Sequence, residues 1–549
     1  MKKNFVKIGL LALTLLGLPF ACADRLDIVP FLSQPSDTGL KTEGDLVGLL
    51  IGAYDGIQDT DSYGGDILLL SDIWSNRAHL RFRGTFAGLS QIANVNTLAT
   101  SSIITTDNAW ARDMWANAYR TINMTNLILE NLSLSQGLVR PTNTVQGEAL
   151  FIRGSLYFEL ARLYGRTWQD GDPNQNLAVP LVLTSSPFQE DKLTDANLPP
   201  RATVAQIYAQ AKADLTTAST LLPNSNKQYA TKWAALAQLS RIALMQGDYA
   251  AALDAANQVI NSGVYSLAPL FGDLWFNFIN FDGFAPKEYV FYMRMTVQDG
   301  TNGLNTYYGQ TVSSIPGTAG RGDLDVQTPF VNLHESFSVT SRALTGNVAT
   351  LTTSAAHNFQ VGQTVYVTNL DATFNGTYII SAVTSNTLSY SKINADVSVA
   401  SSTGNATADV RGTYFTVTNR RLTNKHLDRF GHVPVIRLAE MYLTRAEANF
   451  RLGSSVGDSP LNDVNRIRAR VNLAPLVLVD LAAILKERSL ELAFEGQRLH
   501  DIKRTQGRTL GSSATTPNGP FWNSPKLILP IPLREIEVNK KLVQNEGYQ

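Results

Sequence analysis

The sequence has almost no cysteine: Cys22 is the only one among 549 residues. A single thiol excludes internal disulfides and thiolate metal clusters. The six histidines are scattered, and no two stand at metal-ligand spacing on one predicted helix. Formal net charge is zero, so bulk charge attracts neither nucleic acid nor anionic lipid. We therefore expect no cofactor and no nucleic-acid partner.

Long apolar runs are also missing, except at the N-terminus. Three lysines precede the run IGLLALTLLGLPFA, which ends directly before Cys22. A basic start, a short apolar core and a small final residue predict a secretory signal over residues 1–21, too short for a membrane span. Its removal leaves the mature chain near −3.

The end of this signal resembles the lipobox of bacterial lipoproteins, in which the cysteine becomes an acylated N-terminus. Pro19 and Phe20 stand where that motif has Leu and a small residue. The alternative is an ordinary signal with a chance cysteine nearby. Dual acylation of Cys22 would be a stable anchor, followed by an extended arm to residue 45.

Helical periodicity dominates the rest of the chain. Apolar residues recur three and four apart, with Ala where helices would touch, so each helix needs a covering neighbour. The predicted helix pairs are 108–132 with 145–165, 203–222 with 230–263, and 435–453 with 460–473. The segment LMQGDYAAALDAANQVI resembles part of a tetratricopeptide unit, but no strict repeat period survives.

Between Ser338 and Ala408 the pattern changes abruptly. The run is rich in Thr, Val and Ser, alternates at period two, and contains an Asn375-Gly376 turn signal. It predicts a small all-β module inserted into a helical host.

Four segments of the C-terminal third occur in the order found in the SusD/RagB family. They are PVIRLAEMYLTRAEANFRLG, LNDVNRIRARVNLAPL, ILKERSLELAFEGQRLHDIKRTQ and LILPIPLREIEVNKKLVQNEGYQ. Nearer the N-terminus, LDIVP, WANAYRTINMTNLILENL and GEALFIRGSLYFELARLYG resemble the same family. The resemblance covers residues 22–549, apart from the β module.

This resemblance implies a mainly α, SusD-like fold with irregular tetratricopeptide-like helix pairs, a loop-rich ligand face and a small all-β insertion. The implied organisation is a signal (1–21), an anchor and arm (22–45), a first helical part (46–337), the β module (338–408) and a second helical part (409–549).

The implied function is that of a non-enzymatic, lipid-anchored protein facing the exterior of the outer membrane. It would act as lid and delivery subunit of a SusC-like, TonB-dependent transporter, with an oligosaccharide or peptide as nutrient. A surface glycan-degrading enzyme and an adhesion module that uses the β insertion are the alternatives.

Two loop regions combine aromatic rings with amide and charged groups, the mixture that saccharide recognition needs. The candidate ligand-binding residues are Trp74, Asn76 and Arg77 in the first region, and Trp275, Asn277, Tyr307 and Tyr308 in the second. We expect Trp74 and Trp275 to form a stacking platform. Core packing is the alternative, since Trp is mostly buried in folded proteins.

Three acids spaced four apart, Glu487, Glu491 and Glu495, could suggest acid–base catalysis. Carboxylates on one helix face cannot straddle a sugar ring as glycosidases require. We therefore predict a structural charge network, with ion-pair partners among Arg488, Arg498, Lys503 and Arg504.

Two other motifs have simpler interpretations. Gly453-Ser-Ser-Val-Gly457 matches the nucleophile elbow of hydrolases, but a predicted helix precedes it where the elbow needs a strand. We predict an inter-helix loop. Asp170-Gly-Asp-Pro-Asn174 resembles the start of a calcium loop but lacks its later ligands, which favours a turn.

Replacing Cys22 with Ser should abolish incorporation of a palmitate analogue and release the protein from membranes, because the acyl acceptor is lost. The neighbouring substitution Ala23→Ser is the matched control and should leave labelling intact. Equal labelling of the Cys22→Ser and wild-type proteins would contradict the prediction.

Overall fold

The computed structural model describes residues 40–75, 77–94, 104–186, 198–275, 285–311, 318–417, 420–513 and 516–548. The signal and Cys22 lie outside these ranges. Among the described residues, no helix has both the length and the apolar character to cross a bilayer.

Helices make up most of the regular structure. Their bounds are α1 (Glu43–Gln58), α2 (Asp66–Ser75), α3 (Ala87–Asn94), α4 (Ala109–Glu130), α5 (Thr142–Tyr164), α6 (Val204–Leu221), α7 (Lys232–Gln246), α8 (Tyr249–Asn261), α9 (Gly303–Tyr308), α10 (Thr328–Val331), α11 (Leu438–Leu452), α12 (Pro460–Arg470), α13 (Leu481–Glu491), α14 (Arg498–Arg504) and α15 (Leu533–Val538).

Strands form one closed barrel and several two-stranded sheets. Their bounds are β1 (Leu80–Phe82), β2 (Leu177–Pro180), β3 (Arg201–Thr203), β4 (Tyr289–Met293), β5 (Leu324–Val326), β6 (Phe337–Thr345), β7 (Val348–Thr353), β8 (Thr364–Thr368), β9 (Gly376–Val383), β10 (Thr387–Ser391), β11 (Val397–Thr407), β12 (Tyr414–Val417), β13 (Arg420–Thr423), β14 (Val433–Arg437), β15 (Arg508–Ser513) and β16 (Thr516–Phe521).

The long helices pack in series. Helix α1 contacts α4, and from α4 to α8 each helix contacts the next; α8 then contacts α11, which contacts α12. The mainly α fold is thus confirmed. Whether these helix pairs are tetratricopeptide units stays a prediction.

Local sequence sets the helix ends. Thr203 forms a capping box with Gln206 at the start of α6, and the Asp248 side chain accepts a hydrogen bond from Ala251 N at the start of α8. Gly247 ends α7 with a φ of 76°, a left-handed conformation that suits glycine. The predicted helical segment 230–263 is therefore divided into α7 and α8 at Gly247-Asp248.

A glycine and an ion pair bring α5 close to α6. A Cβ at Gly154 would lie 3.0 Å from Ala211 O and from the Asp214 Cβ. Beside this contact, Arg153 donates two hydrogen bonds of 2.8 Å to the Asp214 carboxylate. Both side chains are buried, so the pair fixes the register of the two helices.

The predicted all-β segment is a closed six-stranded barrel with strand order β10-β7-β6-β11-β8-β9. It has its own apolar cluster, separate from the main core, which includes Val339, Leu351, Val365, Phe374 and Tyr390. The inward residues alternate with outward polar ones, as period two requires.

The tight hairpin turn of the barrel is not at Asn375-Gly376. Gly346 and Asn347, with φ of 57° and 64°, connect β6 to β7, as a two-residue type I′ turn requires. Asn375 instead ends a longer connection, where its side chain hydrogen-bonds Leu370 N and O. The Asn375-Gly376 signal therefore marks the end of a turn over residues 371–375, although the two-residue hairpin turn lies at Gly346-Asn347.

The chain enters and leaves the barrel at neighbouring positions. Phe337 of β6 pairs with Ala406 of β11, and the Thr407 hydroxyl donates to Glu335 O at 2.6 Å. Insertions are tolerated where two surface ends lie close together. That the barrel is a separable insertion stays a prediction.

Replacing residues 340–407 with a short Gly/Ser linker should leave the melting temperature of the helical host within a few degrees of wild type. The reason is that the barrel buries its own apolar cluster. Differential scanning calorimetry measures this. Recovery of the deletion variant only as aggregate would show that the barrel is integral to the fold.

Candidate functional site

The prediction that Trp74 forms an exposed platform is wrong. Its side chain is 0% exposed on helix α2, and its Nε1–H donates to Lys526 O at 3.1 Å. A ring held inside the core cannot stack on a ligand. Trp74 packs in the core, which was the alternative for this residue.

Tyr307 and Tyr308 are also buried. The Tyr308 hydroxyl donates to Asp72 Oδ2 at 2.9 Å, which joins the two predicted loop regions inside the core. Arg77 is partly buried and donates to Asn94 Oδ1. Asn76 and Asn277 lie outside the described residues.

Trp275 is buried too, with 5% exposure, but it lines a cavity. This cavity of about 350 Å³ lies between the helical host and the barrel. Its size falls at the lower end of the range for ligand pockets. Leu270, 62% exposed, and the exposed Asp273 line it towards the surface.

Aromatic rings from distant segments line the cavity and continue behind it. Lining rings include Phe271, Trp275, Phe330, Tyr366 and Phe494. Behind them, His426 connects the Trp275 ring, 5.9 Å away, to the Tyr308 ring, 5.1 Å away. Trp275 and Tyr308 thus belong to one aromatic cluster. The sequence around each residue gives no sign of this, because His426, which connects them, is far along the chain.

His426 is neutral in this cluster. Burial lowers its pKa from 6.5 to about 4, and its Nε2 lies 2.7 Å from Phe494 O. The neutral ring therefore donates its Nε2–H to that carbonyl oxygen.

The cationic side chains of the cavity wall are all paired with carboxylates. Arg411 bonds Asp409 at 2.9 Å and Glu487 at 2.5 Å. Lys425 bonds Glu495 at 2.5 Å, and Arg470 bonds Glu288 and Glu491. Within the described lining, carboxylates of the protein itself therefore neutralise the arginine and lysine side chains.

The predicted charge network exists, but its expected partners were wrong. Glu487, Glu491 and Glu495 pair with Arg411, Lys425, Arg437, Arg468 and Arg470. Helix α13 also ends at Glu491, so Glu495 lies in the turn that follows.

The expected partners contact other groups. Arg488 bonds Glu440 and Asp501, and Arg504 bonds Glu447 and Asp501. Lys503 donates to Arg162 O. Arg498 Nε, buried, has no hydrogen-bond partner.

Arg437 is the centre of this network. Its guanidinium is 1% exposed and contacts Glu288 at 2.6 Å, Glu491 at 3.0 Å and Glu495 at 2.7 Å. Burial alone would raise the pKa of Glu491. The positive charges of Arg470, Arg437 and Arg411 outweigh this effect and lower the pKa from 4.5 to about 2. An acid held ionised in this way is unsuited to proton transfer near neutral pH.

The remaining motifs have structural roles. Residues 453–457 form the predicted loop between α11 and α12, with Gly453 in the left-handed conformation at the end of α11. Residues 170–174 form a turn in which Asp172 Oδ1 accepts from Asn174 N at 2.9 Å. In the described part of the chain, no cluster of three or more His, Cys, Asp or Glu side chains could hold a metal ion.

Solved structures share this helical architecture. A SusD superfamily protein from Bacteroides thetaiotaomicron is 22% identical, with a TM-score of 0.65 over 92% of this chain and 100% of that one. A SusD-like carbohydrate binding protein from Bacteroides vulgatus is 19% identical, with a TM-score of 0.63 over 92% of this chain and 98% of that one. The fold is therefore SusD-like.

Family comparisons agree with the fold. Residues 75–244 match a model described as "Starch-binding associating with outer membrane", and residues 287–548 match the SusD family model. The chain belongs to the SusD/RagB family.

Two curated relatives are similar to it. SusD-like protein P2 of Formosa agariphila is 24% identical over 575 residues, with 100% of both chains covered. Starch-binding protein SusD of Bacteroides thetaiotaomicron is 36% identical over 127 residues, 21% of this chain and 22% of that protein.

Replacing Arg437 with Leu should lower the free energy of unfolding by about 3–5 kcal/mol, because it leaves buried carboxylates without their partner. Urea denaturation at neutral pH measures this. The control Arg112→Leu removes a pair with Asp113 in which Arg112 is 45% exposed, and it should cost about 1 kcal/mol or less. Equal losses in both variants would contradict a central role for Arg437.

Proposed function

We propose that the protein is a glycan-binding lipoprotein of the outer membrane, acting as lid and delivery subunit of a SusC-like, TonB-dependent transporter. The observation that carries this is the match of two SusD-type family models, one to residues 75–244 and the other to residues 287–548. Similarity over the full length to a SusD-like protein supports the same role for the whole chain.

Attachment to the membrane would depend on Cys22. Acyl chains on this residue would hold the protein at the outer leaflet, facing the exterior, and the arm that follows would connect them to helix α1, which begins at Glu43. The description of the first family model, association with the outer membrane, supports this location.

The ligand we propose is an oligosaccharide rather than a peptide. Starch is the ligand given in the description of one matching family model and in the name of one relative. A cavity lined by aromatic rings and polar groups also suits sugars, which present apolar ring faces and hydroxyl edges.

The role we propose is binding without catalysis. The acids that could have served a glycosidase, Glu487, Glu491 and Glu495, are buried in ion pairs. A surface enzyme would need free carboxylates that approach a bond from separate sides. The alternative of an adhesion module has no observation in its favour.

Isothermal titration calorimetry with neutral oligosaccharides from starch, cellulose, xylan and mannan should detect binding to at least one. Acidic oligosaccharides and peptides serve as comparison ligands. Chromatography of the same mixtures after prolonged incubation should detect no shortened products. Release of shorter sugars would favour the enzyme, and binding of peptides alone would contradict glycan recognition.

A further inference from the structure

Two neighbouring apolar side chains are exposed in the connection between helices α4 and α5. Leu138 is 82% exposed and Val139 is 62% exposed. A single exposed apolar residue is ordinary on a protein surface, but two adjacent ones form a small apolar surface that a partner could cover. Burying one such side chain shifts a binding equilibrium by roughly tenfold to a hundredfold. We call Leu138 and Val139 the apolar pair.

The loop that carries the apolar pair is tied to the first residue of helix α1. Glu43, which is 8% exposed, accepts a hydrogen bond from Leu138 N at 3.2 Å. Burial alone would raise the pKa of the Glu43 carboxyl, but interactions with backbone N–H groups of residues 136–140 together lower it below its ordinary value of 4.5. The carboxylate therefore lies among the backbone N–H groups of the loop.

Other contacts also hold this loop in place. Its two ends are close together, since the hydroxyl oxygens of Ser135 and Thr142 are 2.9 Å apart. The Arg140 guanidinium pairs with Glu148 and lies 4.3 Å from the centre of the Tyr229 ring. The apolar pair is therefore presented at a fixed position beside the start of α1.

The arm joins the helical host at the same place. Leu40 is the first described residue, and its side chain packs against the main apolar core. It precedes Glu43 by three positions in the sequence. Residues 22–39 lie outside the described residues, but the point at which they reach the host is thus close to the apolar pair.

The arm contains an apolar segment of matching chemistry. Residues 26–32 read LDIVPFL, in which Asp27 is the only polar residue; we call them the arm segment. The polar run SQPSDTG separates this segment from Leu40 and spans at most about 25 Å. Its Pro35 and Gly39 favour turns, so the arm segment can fold back onto the loop.

We propose that the arm segment binds the apolar pair. The pair is an apolar surface held rigidly where the arm enters, and the arm segment is an apolar stretch of the same chain within reach of it. Each would cover apolar groups of the other that water otherwise contacts, which is the favourable term in such an association.

This contact would set the length of the membrane tether. With the arm segment free, the chain from Cys22 to Leu40 extends up to about 60 Å. With the segment bound, only residues 22–26 separate Cys22 from the host, a span of at most about 14 Å. The start of α1 would then be held towards the membrane. This consequence rests on the proposed function, because it requires acyl chains on Cys22.

The test uses the mature chain with Cys22→Ser, here called the parent chain, which has no acyl acceptor. Chymotrypsin cuts after Phe31 when the arm segment is accessible, and mass spectrometry of the intact chain measures the rate. A synthetic peptide of residues 22–39 gives the rate for the free segment. Cleavage of the parent chain should be slower by at least about tenfold, the effect of burying one apolar side chain.

Replacing the apolar pair by serine, Leu138→Ser with Val139→Ser, should raise the cleavage rate of the parent chain about tenfold, because the apolar contact is lost. Its matched control is Val477→Ser with Leu478→Ser, another adjacent pair, 90% and 72% exposed, between α12 and α13. The control should leave the rate unchanged. Melting curves show that each variant is folded.

Ile28→Asp tests the same contact from the arm. It should also speed cleavage about tenfold, and combining it with the serine variant should give no further increase, because both changes remove one shared contact. The synthetic peptide with Ile28→Asp corrects for the preference of the protease. Rate increases that multiply in the combined variant would overturn the proposal.

Slow cleavage that is lost in the serine variant and kept in the control supports the proposal. Cleavage of the parent chain at the rate of the free peptide would overturn it. So would a dimer in analytical ultracentrifugation, or binding to phosphatidylethanolamine–phosphatidylglycerol vesicles, that the serine variant abolishes, because a second copy or a lipid surface would then cover the pair. Neither palmitate labelling nor glycan titration enters this test, so failure of the proposed function would be seen separately.

Discussion

A buried guanidinium connects the segments that build the second half of the helical host. Arg437 ends strand β14 and contacts Glu288 before β4, Glu491 at the end of α13 and Glu495 in the following turn. A buried charge is tolerable only when it is fully paired. These segments must therefore assemble together, because each of them alone would leave a charge in the core without a partner.

The same constraint determines what the cavity can do. Glu491 also binds Arg470, and Glu495 also binds Lys425, so the wall of the cavity is an extension of the Arg437 network. Groups that would otherwise attract ions or move protons are occupied in holding the fold. The rest of the wall offers aromatic rings and uncharged polar side chains such as Thr364 and Asn424.

The sequence predicted the helices and the β barrel better than it predicted which side chains contact each other. Helices α4 to α8 follow from apolar spacing, and the barrel follows from alternation, because both patterns are local. Ion-pair partners are not local. Arg488 follows Glu487 directly, so its side chain points about 100° away around the helix axis and pairs with Glu440 on α11. Glu487 pairs instead with Arg411, which follows the barrel in the sequence.

The candidate binding residues show the same limit. Trp74 and Trp275 stand in similar surroundings in the sequence, yet one is in the core and the other lines a cavity. The difference arises because the rings and polar groups around Trp275 come from segments far along the chain, including the barrel. The barrel contributes Thr364 and Tyr366 to this wall, and its first and last strands pair where the chain enters and leaves it. The two features therefore differ in physical origin: buried ion pairs connect the segments of the helical host, and the barrel, which has its own apolar cluster, forms part of the cavity wall.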